Sequence, residues 1–194
     1  GGNISVTASD DGLNAAGGND SSGFEGTGGD QFAATEGAYI HISGGVMHVN
    51  AEGDGIDSNG DLTVSGGETY ISGPVNDGNG ALDYNGGAVI SGGTFVAAGS
   101  SGMAQNFGSS STQGTVLVSV GSQEAGSVVS LQDSDGIELM QWEPDKVYTS
   151  VLISCPELTK DSTYTVSAGT YSEEITLDTL IYGCLLYTSP SPRD

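Results

Sequence analysis

The triplet Ser-Gly-Gly recurs at Ser43, Ser65 and Ser91, at intervals of 22 and 26 residues, and this repetition constrains the chain more than any other feature. A short alternating strand precedes each triplet. A second strand and an acidic, Gly-rich loop follow it, in VMHVNAEGDGIDSNG, ETYISGPVNDGNGALDYNG and TFVAAGSSGMAQ. Units of this length cannot bury an apolar face alone and must stack on their neighbours. The unit reads as one coil of a parallel β-helix.

Leucine-rich repeats would need several Leu per unit, and nonapeptide calcium repeats a nine-residue period with G-G-x-G-x-D. Neither is present. Alternation within the strands separates inward from outward side chains. Before the corner, Ile40 and Ile42, Leu62 and Val64, and Ala88 and Ile90 form one expected apolar stack; after it, Met47 and Val49, Thr69 and Ile71, and Phe95 and Ala97 form a second. Leu13, Ile56 and Leu82 form a third. Three stacks predict three walls around a narrow core.

The chain has 194 residues, 33 of them Gly, and a formal net charge of −22 from 25 acidic and 3 basic side chains. The glycines fit tight corners, because apolar alternation persists between them. The charge opposes compaction unless counter-ions bind. It also makes nucleic acid and anionic membrane poor partners. No apolar run approaches the ~18 residues of a membrane span. Gly1 to Val6 already reads as a corner and a strand, so the native N-terminus is expected to lie upstream. Cys155 and Cys184 do not make a disulfide framework.

Three regions are expected. Residues 1–113 carry the parallel coils, with a Gly-rich loop at about 16–37. Residues 114–183 follow a different pattern, in which TVLVSV, SVVSLQ, IELMQW, VYTSVLIS and TYTVSA are alternating strands without Ser-Gly-Gly corners, and Asp133-Ser134-Asp135-Gly136 is a hairpin signal. They predict a small antiparallel β module, a cap or a separate binding domain. Residues 184–194, CLLYTSPSPRD, resemble a translated sequencing adapter and are set aside as a non-native tail.

The acidic loops repeat one phrase: Asp10-Asp11-Gly12-Leu13-Asn14, Asp54-Gly55-Ile56-Asp57, and Asn79-Gly80-Ala81-Leu82-Asp83. Asp-Gly and Asn-Gly are also ordinary turn dipeptides. Stacking the loops at the inter-strand spacing of about 4.8 Å would, however, set carboxylates against one another. Calcium, with oxygen ligands at about 2.3 to 2.6 Å, spans that distance, whereas magnesium keeps its waters and demands octahedral geometry. The expected metal ligands are therefore Asp10, Asp11, Asn14, Asp54, Asp57, Asn79 and Asp83, with Ca2+ as the ion.

The run GVMHVNAEGDGIDSNGDLTVSGG, with GNGALDYNGG and VISGGTFVAAGSSGMAQ, resembles a bacterial carbohydrate-binding family, best represented in clostridia, of calcium-containing right-handed β-helices similar in fold to pectate lyases. The resemblance extends from residue 1 to about 180. It implies an all-β chain, a right-handed parallel β-helix followed by a small antiparallel β module. It also implies an extracellular, cell-surface protein that binds acidic plant polysaccharide such as polygalacturonate (pectin), and cellulose, without catalysis. The native signal or anchor is expected to be missing from this fragment.

A polysaccharide-degrading enzyme, polygalacturonase-like or lyase-like, is one alternative, and a structural adhesin segment another. Lyase chemistry needs a base, usually Lys or Arg, and residues 1–145 contain neither. A hydrolase needs two carboxyl groups, which are abundant. For sugar contact, the outward positions after the corner make His48 and Tyr70 the expected ligand-binding residues. Trp142, alternating with Leu139 and Met140, is expected in the core.

Overall fold

The computed structural model describes residues 1–16 and 33–183. Most of the expected Gly-rich loop, Cys184 and the adapter-like tail lie outside the described residues. The rest is all-β, with fourteen strands in three sheets.

The first part of the chain forms β1 (Asn3–Ala8), β2 (Leu13–Ala15), β3 (Tyr39–Ala51), β4 (Ile56–Ser58), β5 (Asp61–Ser72), β6 (Leu82–Tyr84) and β7 (Ala88–Gly99). The remainder forms β8 (Thr115–Gln123), β9 (Val129–Asp133), β10 (Glu138–Trp142), β11 (Tyr148–Ser154), β12 (Thr163–Ala168), β13 (Tyr171–Thr176) and β14 (Ile181–Tyr182). One seven-stranded sheet runs β1-β3-β5-β7-β11-β8-β14, a four-stranded sheet runs β10-β9-β12-β13, and a three-stranded sheet runs β2-β4-β6.

The registers follow the apolar alternation. Ile40 pairs with Leu62 and Leu62 with Ala88; Met47 pairs with Thr69 and Thr69 with Phe95; Leu13, Ile56 and Leu82 align in the small sheet. Glycine explains the corners between them. The second Gly of each triplet, Gly45, Gly67 and Gly93, has φ of +92°, +91° and +90°. A Cβ there would also lie 2.7, 2.8 and 2.6 Å from the carbonyl oxygens of Gly2, Gly45 and Gly67 respectively. Only a residue without a side chain makes that turn against its neighbour.

The architecture nevertheless corrects the expectation of a right-handed parallel β-helix followed by a separate antiparallel module. The segments on either side of each corner, expected as two walls, are continuous strands of one sheet, with only a register irregularity at the triplet. That sheet is mixed. The run of parallel strands is interrupted after β7, where β11 lies antiparallel, with Val151 against Ala98 and Ile153 against Val96; β8 follows antiparallel to β11, and the short β14 is parallel to β8 at the edge. The physical reason is in the sequence after residue 114, which lacks the corners needed to send another strand round in the same direction.

Two cores result. One lies between the parallel strands and the three-stranded sheet and buries Leu62, Ile71, Phe95, Ile56 and Leu82. The other packs the opposite face of β7, β11 and β8 against the four-stranded sheet, through Val96, Val116, Ile153, Leu131 and Val166. Strand β11 is buried on both faces, as its sequence YTSVLIS, apolar at three successive positions, requires.

Candidate functional site

The three-stranded sheet sets the register of the acidic loops. Asn14 pairs with Asp57 and Asp57 with Asp83. Two residues before the aligned Leu13, Ile56 and Leu82 stand Asp11, Asp54 and Gly80. One hydrogen bond repeats at this level: the Asp54 N–H donates to Asp11 Oδ1 at 2.8 Å, and the Gly80 N–H donates to Asp54 Oδ1 at 2.6 Å. Backbone bonds from Gly12 N to Asp54 O and from Gly55 N to Gly80 O continue the ladder. Close approach is obligatory here, since a Cβ on Gly55 would collide with the Ala81 carbonyl oxygen.

This geometry gathers Asp11, Asp54 and Asp57. Each offers a carboxylate oxygen, and these lie within 4.8 Å of one another, a group that could hold a metal ion. Asn14 Nδ2 donates to Asp11 Oδ2 at 2.8 Å and to Asp57 Oδ2 at 3.0 Å. The amide thus bridges two carboxylates. Asp54 is affected most: its pKa rises from the ordinary 3.8 to about 7. Burial is the largest cause, opposed by the Gly80 N–H, and the charges of Asp83, Asp11 and Asp57 add to the rise.

Of the remaining expected ligands, Asp10 and Asp83 are not in this acidic trio, and Asn79 lies in the loop before Gly80. Asp10 is exposed, and its backbone carbonyl accepts the Gly53 N–H. Asn79 precedes the equivalent position, which Gly80 fills, so the extra residue in that loop shifts Asn79 out of the ladder. Asp83 is in register with Asp57, but Gln105 Nε2 donates to its Oδ1 at 2.7 Å. Gln105 and the Gly80 N–H were not expected at the site; a side-chain amide 22 residues beyond Asp83 and a glycine N–H carry no sequence signal of their own.

On the outer face of the large sheet, His48 and Tyr70 are register partners, and their rings stack with centroids 5.0 Å apart and planes 16° apart. The Tyr70 hydroxyl donates to Glu68 Oε2 at 3.1 Å. Burial chiefly, then Glu68, raises the Tyr70 pKa. Trp142 is half-buried against the second core and also meets Tyr70, with centroids 5.8 Å apart and planes tilted by 36°. The sequence carries no hint of that contact, because β10 and β5 belong to different sheets. Lys146 reaches back to the Ala51 carbonyl and to Glu52, 3.3 Å from its Oε1, while Lys160 pairs with Asp161. No protein-family model, curated protein or solved structure matches the chain.

Proposed function

We propose that this chain is a non-catalytic, calcium-dependent binder of acidic plant polysaccharide, of the polygalacturonate class, acting at a bacterial cell surface. The observation that carries this reading is the convergence of Asp11, Asp54 and Asp57 from two successive loops. Their donor set is all oxygen, which suits a hard cation and not the imidazole or thiolate sites of zinc. Turned over, the Asn14 amide would offer its oxygen to the same ion. The three carboxylates repel one another at close quarters, partial burial amplifies the repulsion, and a divalent cation relieves most of it. Calcium tolerates irregular coordination and high ligand number, so an ion held here keeps positions for a uronate carboxylate from outside. Such a bridge explains how a chain of net charge −22 retains an acidic polymer.

The test is sedimentation with insoluble polygalacturonate in calcium, in chelator, and in sodium at matched ionic strength, beside thermal melting in the same buffers. The reading expects retention and a raised Tm in calcium only. A ligand specific to the native state adds about 2.7 kcal/mol at a hundredfold excess over Kd, which is several degrees for a domain of this size. Equal melting and equal retention in all three buffers would overturn it.

A further inference from the structure

The Ser-Gly-Gly corners put their serines out of register with the preceding strand. Between β3 and β5 the pairing passes from Ile42 with Val64 to Ser43 with Gly66, and skips Ser65. Between β5 and β7 it passes from Val64 with Ile90 to Ser65 with Gly92, and skips Ser91. Each skipped serine follows, by two residues, an outward pair: His41 with Thr63 before Ser65, and Thr63 with Val89 before Ser91. The two serines are therefore equivalent in backbone and differ in the side chain that the preceding strand offers them. Ser65 meets His41 across the strands, with Oγ 3.0 Å from Nε2 and both residues exposed. Ser91 has Thr63 in the corresponding place, and its hydroxyl donates to the Val64 carbonyl at 3.5 Å.

We propose that Ser65 is an acyl-acceptor site, a hydroxyl that takes a small neutral acyl group from an activated ester with His41 as its base. The proposal goes beyond the binding reading and needs no metal. A serine hydroxyl is a weak nucleophile until a base within hydrogen-bond reach takes its proton, and an imidazole nitrogen at 3.0 Å is such a base. In the step, Ser65 Oγ bonds to the acyl carbon and the bond from that carbon to the leaving oxygen breaks. The hydroxyl proton passes to His41 Nε2 and then to the departing alkoxide, so the imidazole ends neutral. The two residues after Ser65 are Gly66 and Gly67, which project no side chain over the approach. Charge selects the donor: residues 1–145 contain no Lys or Arg, and the exposed Glu68 stands three residues beyond Ser65. An anionic acyl donor would meet repulsion and no cation, whereas a neutral ester meets neither. Among the described residues the other ring nitrogen of His41 makes no hydrogen bond, so the pair lacks the orienting third member of a hydrolase triad. The acyl group therefore accumulates on Ser65 and is not turned over.

The repeat supplies its own controls, because Ser43, Ser65 and Ser91 hold the same place in three triplets and all three are exposed. The intact protein is incubated in chelator with p-nitrophenyl acetate, quenched, and mapped by peptide mass spectrometry. One acetyl group should appear on Ser65, with Ser43 and Ser91 unlabelled. His41→Gln, which keeps a hydrogen-bonding group but no base, should lower labelling of Ser65 at least about tenfold. Both residues lie on the surface, so the variant is expected to fold, and an unchanged Tm confirms that it has. Thr63→His gives Ser91 the neighbour that Ser65 has, and labelling of Ser91 should then rise. Equal labelling of the three serines would overturn the proposal, since it would reflect exposure alone. So would undiminished labelling of Ser65 in His41→Gln, or acetyl confined to the Gly1 amine and the lysines. Sustained release of acetate without an accumulating adduct would overturn the acceptor reading in favour of a hydrolase. Calcium-dependent retention of polygalacturonate could stand through each of these failures, because the labelling is done without calcium.

Discussion

Asp54 is the side chain on which the chemistry of the acidic loops turns. Its pKa of about 7 means that the folded protein holds a proton there which the unfolded chain, at 3.8, releases. The sign follows from linkage: the folded state binds more protons between these values, so stability from this group is complete below about 3.8 and is lost as pH rises through about 7. In chelator, raising the pH from about 5 to about 8 should lower the Tm of the parent more than that of Asp54→Asn, which has no proton to lose. Calcium should shrink the difference, because the ion replaces the proton. Calorimetric titration should also register proton release on binding near neutral pH. Parallel pH slopes for parent and variant in chelator would refute this account of Asp54. A second residue makes a simpler case. Thr69 Oγ1 is buried between Met47 and Phe95 in register and has no hydrogen-bond partner among the described residues. An unsatisfied buried hydroxyl costs about 1–3 kcal/mol, so Thr69→Val, of nearly the same shape, should raise stability by about 1 kcal/mol in urea denaturation. A loss of stability would mean that the hydroxyl is bonded.

At the level of the strand and its corner, Gly67 and Gly44, from successive triplets, have different duties, and substitution separates them. Gly67 combines a φ of +91° with a Cβ position 2.8 Å from the Gly45 carbonyl oxygen. Gly67→Ala should therefore cost about 2 kcal/mol or more, from left-handed strain and displacement of the neighbouring strand together. Gly44, with open space around its Cβ position and no positive φ, should accept Ala within about 1 kcal/mol. Denaturant midpoints of the two variants check the contrast, and equal losses would remove the steric explanation. This is also the scale at which the sequence was most legible. Alternation gave the pairing of Ile42 with Val64 and of Val49 with Ile71, because a one-residue slip would turn every apolar side chain to solvent. The loops were legible in part: Asp11, Asp54 and Asp57 do converge. Asn79 falls one residue before the ladder position that Gly80 fills, because one added residue in a turn can be absorbed on either side of it. The union of walls into one sheet, and the insertion of β11 beside β7, depend on contacts between segments far apart in the chain, for which no local pattern exists.

For the molecule as a whole, the second half of the chain is joined to the first and not appended to it. Strand β11 completes the large sheet, the four-stranded sheet covers the outer face of β7, and Lys146 ties the β10–β11 connection to the loop after β3 through Glu52. The acidic trio lies at the three-stranded sheet, and the stacked His48 and Tyr70 rings lie on the outer face of the large sheet. This arrangement bears on the choice between binding and cleavage. A raised carboxyl such as Asp54 is what a general acid requires. Glycosidase pairs, however, stand about 5 to 5.5 Å apart when they retain configuration and about 6.5 to 9.5 Å when they invert. One oxygen from each of the trio lies within 4.8 Å of the others, a spacing that suits a shared cation. A lyase would need a base near the uronate, and both lysines of the described residues are drawn into ion pairs with Glu52 and Asp161. Incubated with polygalacturonate in calcium, the purified protein is expected to produce neither unsaturated uronides absorbing in the ultraviolet nor new reducing ends, while Asp57→Asn loses calcium affinity and polymer retention together. Sustained release of either product, abolished by Asp54→Asn, would make the trio a catalytic centre and overturn the binding reading. Loss of calcium by Asp57→Asn with undiminished retention would instead confine the ion to holding the two loops together and leave the aromatic face as the route by which polysaccharide is held.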